Sequence, residues 1–92
     1  MISRDSRLRL AAKARLRFDR KAERYMLLYP ERGLVLNPTG TDVVQLCTGE
    51  HTVGAIVDQL ATKYGQDAPI VEREVMTFLT ALSERGLVQE AP

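Results

Sequence analysis

A chain of 92 residues has room for one domain with a modest core, and 45% apolar with 27% charged residues is ordinary for a globular fold. A single cysteine, Cys47, excludes an internal disulfide and a cysteine-based zinc site. The net charge of +1 hides an asymmetry: residues 1–24 hold nine Lys or Arg against three Asp or Glu, whereas residues 25–92 hold four against nine. The basic part reads as a solvated hairpin, or functionally as a surface that attracts an acidic partner. The N-terminus lacks the continuous apolar stretch of a signal peptide, and no run nears the roughly 20 apolar residues of a membrane span. The expected setting is the cytoplasm, with no membrane partner.

In chain order, Met1 to Lys13 has no clean period and is read as a flexible segment, leaving residues 14–90 as the single domain. In "ARLRFD" the residues alternate, so Leu16 and Phe18 share one face of a strand. Asp19 to Arg24 is a polar connection, and "RYMLLYP" resumes as a strand that Pro30 ends. "PERG" predicts a turn in which Gly33 takes a positive φ, and "LVLN" predicts a third short strand. Asn37 and Pro38 open a first helix that Gly49 ends. Thr52 caps a second helix, with Val53, Ile56, Val57, Leu60, Ala61 and Tyr64 on one face and Gly65 as its stop. Asp67 and Pro69 open a third, striped by Val71, Val75, Phe78, Leu79 and Leu82 and closed by Gly86. Leu87 and Val88 pack back on the core. The expected fold is α+β: a three-stranded antiparallel meander followed by three helices, winged-helix-like.

Nothing in this order supports catalysis. His51, the sole histidine, falls in the turn "TGEHTVG", where a general base would lack a pocket and a partner. Glu72 and Glu74, two apart on a helix, point to different faces. Cys47 sits on the apolar side of the first helix as a small core residue. Gly40, Gly49 and Gly54 lack phosphate-loop spacing, so neither cofactor nor metal is expected. Three helices beside a hairpin also suit a winged-helix DNA-binding transcription factor. Charge opposes it: residues 50–86 hold three basic and six acidic residues, and DNA affinity rests on phosphate neutralisation. Nucleic acid is therefore not the expected partner. Protein interaction is, because an exposed short strand such as Leu34–Leu36 can accept an extra strand along its unpaired edge. The same edge would allow pairing into a homodimer.

Three stretches together carry a resemblance: "RLRFD", "YMLLYPERGLVLNPTGTDVVQLCTGEHTVGAIVDQLATKYG" and "VMTFLTALSERGLV". From about Arg15 to Val88 the chain resembles the PqqD family, small peptide chaperones of pyrroloquinoline quinone (PQQ) biosynthesis. Gly40 and Thr48 depart from the family pattern, which has Ala or Ser and an acidic residue there. The resemblance implies a non-catalytic protein that binds the ribosomal precursor peptide PqqA and presents it to the radical-SAM enzyme PqqE, which joins a glutamate to a tyrosine. It implies a leader peptide added as a strand against the third strand, Arg32–Leu36, in a groove closed by a helix at about Ile70–Arg85. The implied peptide-binding residues are Arg32, Leu34, Val35, Leu36, Val71, Val75, Phe78 and Leu79.

Overall fold

A computed structural model describes residues 1–30 and 32–92. The strands are β1 (Arg7–Leu10), β2 (Arg15–Asp19), β3 (Arg24–Tyr29), β4 (Arg32–Val35), β5 (Thr48–Thr52) and β6 (Val88–Glu90). The helices are α1 (Pro38–Leu46), between β4 and β5, then α2 (Val53–Tyr64) and α3 (Ala68–Glu84). One sheet has the order β2-β3-β4 and is the expected antiparallel meander; the other has the order β5-β1-β6. Side chains of both sheets and all three helices meet in one core, with Leu8, Leu27, Leu36, Val43, Ile56, Leu79 and Leu87 all buried.

The meander follows from alternation. Leu16 pairs with Leu27 and Leu27 with Leu34, a row of leucines on the core side. Arg15 and Arg17 stand opposite Leu28 and Met26 on the other face. The turn expected at Pro30–Gly33 includes Glu31, which lies outside the described residues. Gly33 is not among the glycines with positive φ, which are Gly49, Gly65 and Gly86. It is a strand residue, and a Cβ there would stand 2.8 Å from the Met26 methyl and 3.0 Å from Leu28 Cδ2. A larger residue here would have to displace the ends of these two cross-strand side chains, whereas the backbone conformation itself does not call for glycine.

Helix ends obey local chemistry. Asn37 Oδ1 accepts from the Gly40 N–H at 2.7 Å with Pro38 following, and Thr52 Oγ1 accepts from the Ala55 N–H at 3.1 Å. Gly65 takes the left-handed conformation, φ 62°, that ends α2. The first helix stops earlier than expected, at Leu46 with Cys47 as its cap. Gly49 instead sits in β5 at φ 87°, where the β1–β5 register shifts.

The N-terminal segment corrects the sequence reading. Arg7–Leu10 is the central strand of the second sheet, and Leu8 is 1% exposed. The carbonyls of Ser6 and Arg4 accept from the Val53 and Gly54 N–H groups at 2.9 Å each, satisfying first-turn donors of α2. "TGEHT" is likewise a strand rather than a turn, paired to β1. Leu87 and Val88 are buried as expected, and Val88 begins a strand on the other side of β1.

Candidate functional site

The meander ends in an open edge. β4 pairs with β3, and among the described residues no strand lies on its other side. The Leu36 N–H donates to the Tyr25 carbonyl at 2.9 Å, and Leu34 stands opposite Leu27 in the same register. Backbone polar groups of an antiparallel strand alternate in direction. Leu34 and Leu36 therefore turn theirs toward β3, while Gly33 and Val35 turn theirs away. The side chains alternate too: Leu36 is buried, Leu34 half-buried and Val35 50% exposed.

Helix α3 lies beside this edge. Phe78 is half-buried and lines a cleft of about 350 Å³ with Arg24, Leu34, Val35, Leu36 and Asn37. It also lines an adjoining space of about 700 Å³ whose walls include Asn37, Gly40, Val43, Val75 and Ala81. A Cβ at Gly40 would lie 3.4 Å from Phe78 Cζ and 3.0 Å from Asn37 Oδ1, so this departure from the family pattern leaves the ring and the cap room. Arg32 is exposed at the start of β4.

The structure thus brings Leu34, Val35, Leu36 and Phe78 around one cleft, with Val75 in the wall of its neighbour. Val71 and Leu79 line neither; they are 2% and 0% exposed, part of the contact between α3 and the core. Asn37, Gly40 and Ala81 were missed. Ala81 is legible from its place one turn beyond Phe78; the sequence marks Asn37 only as a helix cap and Gly40 only as a departure from the family pattern.

Titratable groups are engaged structurally. Burial pushes the Cys47 thiol up to about 12, which suppresses the reactive thiolate. Cys47 is accordingly expected to resist a disulfide reagent at pH 8 in the native state, labelling only as fast as the chain opens, with urea restoring full reactivity. Glu72 pairs with Arg4. Asp42 Oδ2 accepts from Lys63 Nζ at 2.9 Å and from the Tyr64 hydroxyl at 2.5 Å, tying α1 to the end of α2. These hydrogen bonds raise the pKa of both donors. Among the described residues no group of three or more His, Cys, Asp or Glu is placed to hold a metal ion, and no helix is long and apolar enough to cross a membrane.

An open strand edge beside a helix-lined cleft, with an apolar space adjoining it, defines a small α+β binding domain. Residues 24–88 match the family model "Coenzyme PQQ synthesis protein D (PqqD)". A "PqqA binding protein" of Rhodopseudomonas palustris strain BisB5 is 40% identical over 98% of this chain and 88% of its own length. The solution structure of the PqqD truncation of Methylobacterium extorquens PqqCD, described as a functional stand-alone recognition element for ribosomally synthesized and post-translationally modified peptides, superposes with a TM-score of 0.83. It is 30% identical and the match covers 97% of this chain and 95% of that one. The crystal structure of PqqD from Xanthomonas campestris gives 0.61 at 34% identity, over 97% and 99%. The chain belongs to the PqqD family. The non-catalytic reading agrees with these relatives, one named a binding protein and one a recognition element.

Proposed function

We propose that this protein binds the precursor peptide PqqA during PQQ synthesis, takes it as an added strand on the free edge of β4, and presents it to the radical-SAM enzyme PqqE. The observation that carries the reading is the outward-facing backbone of Gly33 and Val35 beside the cleft lined by Phe78. Main-chain hydrogen bonds along that edge would supply affinity, and the adjoining space walled by Val43, Val75, Phe78 and Ala81 would select an apolar side chain. Arg32, Leu34, Val35 and Leu36 form the edge. Phe78 and Val75 form the wall, and Val71 and Leu79 support α3 from behind. The name shared by relatives such as that of Rhodopseudomonas palustris supports PqqA as the client; presentation to PqqE rests on the family likeness. The cytoplasm is the fitting compartment, since the client is made on ribosomes.

The test is an amide NMR titration of the labelled protein with synthetic PqqA, followed by addition of PqqE. Saturable shifts confined to Arg32–Asn37 and Ile70–Leu82 are expected, and PqqE should broaden the signals of the peptide-loaded protein. Raising the salt from 50 to 200 mM should weaken binding far less than the roughly thousandfold or greater loss of a protein contacting several DNA phosphates. Shifts elsewhere, or none from folded protein, would overturn the strand-addition reading.

A further inference from the structure

At the other end of β4 lies a second cavity, of about 340 Å³, lined by Lys13, Tyr29, Pro30, Arg32 and Arg85. Among the described residues of that lining, every charged one is a cation. The ion pairs among the described residues are those of Arg4 with Asp58 and Glu72 and of Lys63 with Asp42, and none of these involves Lys13, Arg32 or Arg85. All three are exposed. They come from the loop after β1, the start of β4 and the end of α3, and Lys13 Nζ lies 3.4 Å from where a Cβ on Gly86 would be.

The cavity continues the groove. Arg85, the C-cap of α3, follows Phe78 by seven residues, about two helical turns or 10 Å along the helix. Arg32 precedes Leu34 by two residues and Leu36 by four, and residues at even spacing share a face of a strand. A strand seated on β4 with one side chain in the Phe78 cleft therefore brings the side chain two or four positions away, on that same face, to the three cations.

Resting on the strand-addition reading above, we infer that the Lys13–Arg32–Arg85 cup receives a carboxylate of the client peptide and thereby sets its register and direction on β4. The guanidinium forks of Arg32 and Arg85 suit a planar carboxylate, and the flexible Lys13 ammonium adds charge. The carboxylate comes from an Asp or Glu side chain or from the peptide's C-terminus.

The experiment measures affinity of the full chain for synthetic PqqA by fluorescence anisotropy. One peptide series changes each Asp and Glu in turn to Asn or Gln, and one peptide has an amidated C-terminus. A single member should bind about tenfold more weakly, the size of one charge-assisted hydrogen bond. Loss in the side-chain series identifies an internal acid; loss on amidation identifies the terminus. R85E should cost as much, and for an internal acid, lysine at the sensitive peptide position should restore binding to R85E. Should R85E unfold, R32Q and K13Q at exposed positions test the same contact. If PqqA shifts the β4 and α3 amides yet binds all forms equally, and the cation variants bind normally, the cup is overturned while strand addition stands. If no form of PqqA binds, both readings fall.

Discussion

Replacing Val35 with proline is expected to weaken PqqA binding roughly tenfold or more while leaving the domain folded. The register makes the two effects separable. Val35 turns its N–H away from β3, so proline there deletes no β3–β4 hydrogen bond. Edge strands tolerate proline when the lost donor faces solvent. Val35 is 50% exposed, so little packing is lost with its side chain. On the free side, the missing donor and the ring that replaces it obstruct an incoming strand. Thermal unfolding verifies the fold, and anisotropy with synthetic PqqA gives the affinity. Undiminished binding by a folded V35P protein would sink strand addition at this edge. Leu36→Pro is the instructive contrast: its N–H bonds the Tyr25 carbonyl and its side chain is buried, so that variant should lose stability first.

Leu8→Ala is expected to destabilise the protein by about 2–5 kcal/mol, as for a fully buried leucine. In a domain whose total stability is about 5–15 kcal/mol, that is a large share. Leu8 is 1% exposed on the central strand of the second sheet, and its neighbours Ser6 and Arg4 cap α2 through their carbonyls. Loosening β1 therefore loosens β5, β6 and the start of α2 together. Arg9→Ala, one residue away and exposed, should change stability by no more than about 0.5 kcal/mol. Urea denaturation of the two variants decides the matter; equal midpoints would show that the N-terminal strand does not contribute to the fold.

The proposed peptide groove and the stability core share α3, which is why the structure places the expected site residues differently. Val71, Val75, Phe78, Leu79 and Leu82 recur at helical spacing on one broad apolar face. Spacing shows that this face is covered, but not by what. Packing of α2 and β6 against α3 accompanies the full burial of Val71 and Leu79, while Phe78 stays half-buried beside the cleft. Truncating either of the latter would damage folding before it reported on binding. Phe78→Ala is the cleaner probe of the wall.

Local chemistry is where the sequence by itself was decisive. Asn37, Thr52, Gly65 and Gly86 mark helix ends because capping oxygens and left-handed glycines act on the turn beside them. Strict alternation in "RLRFD" makes β2 legible, and the same alternation stands in the shorter "RLRL" at Arg7–Leu10. Four residues with no partner nearby in the chain are a weak signal, and this strand's partners lie some 40 and 80 residues away. "TGEHT" has no apolar pattern at all; it is a strand because β1 offers it a ladder. The edge at Leu34–Leu36 was expected from the sequence, whereas the cleft and the cationic cup were decided only by the tertiary structure. Each joins residues distant in sequence, and burial and charge neutralisation depend on which surfaces finally meet.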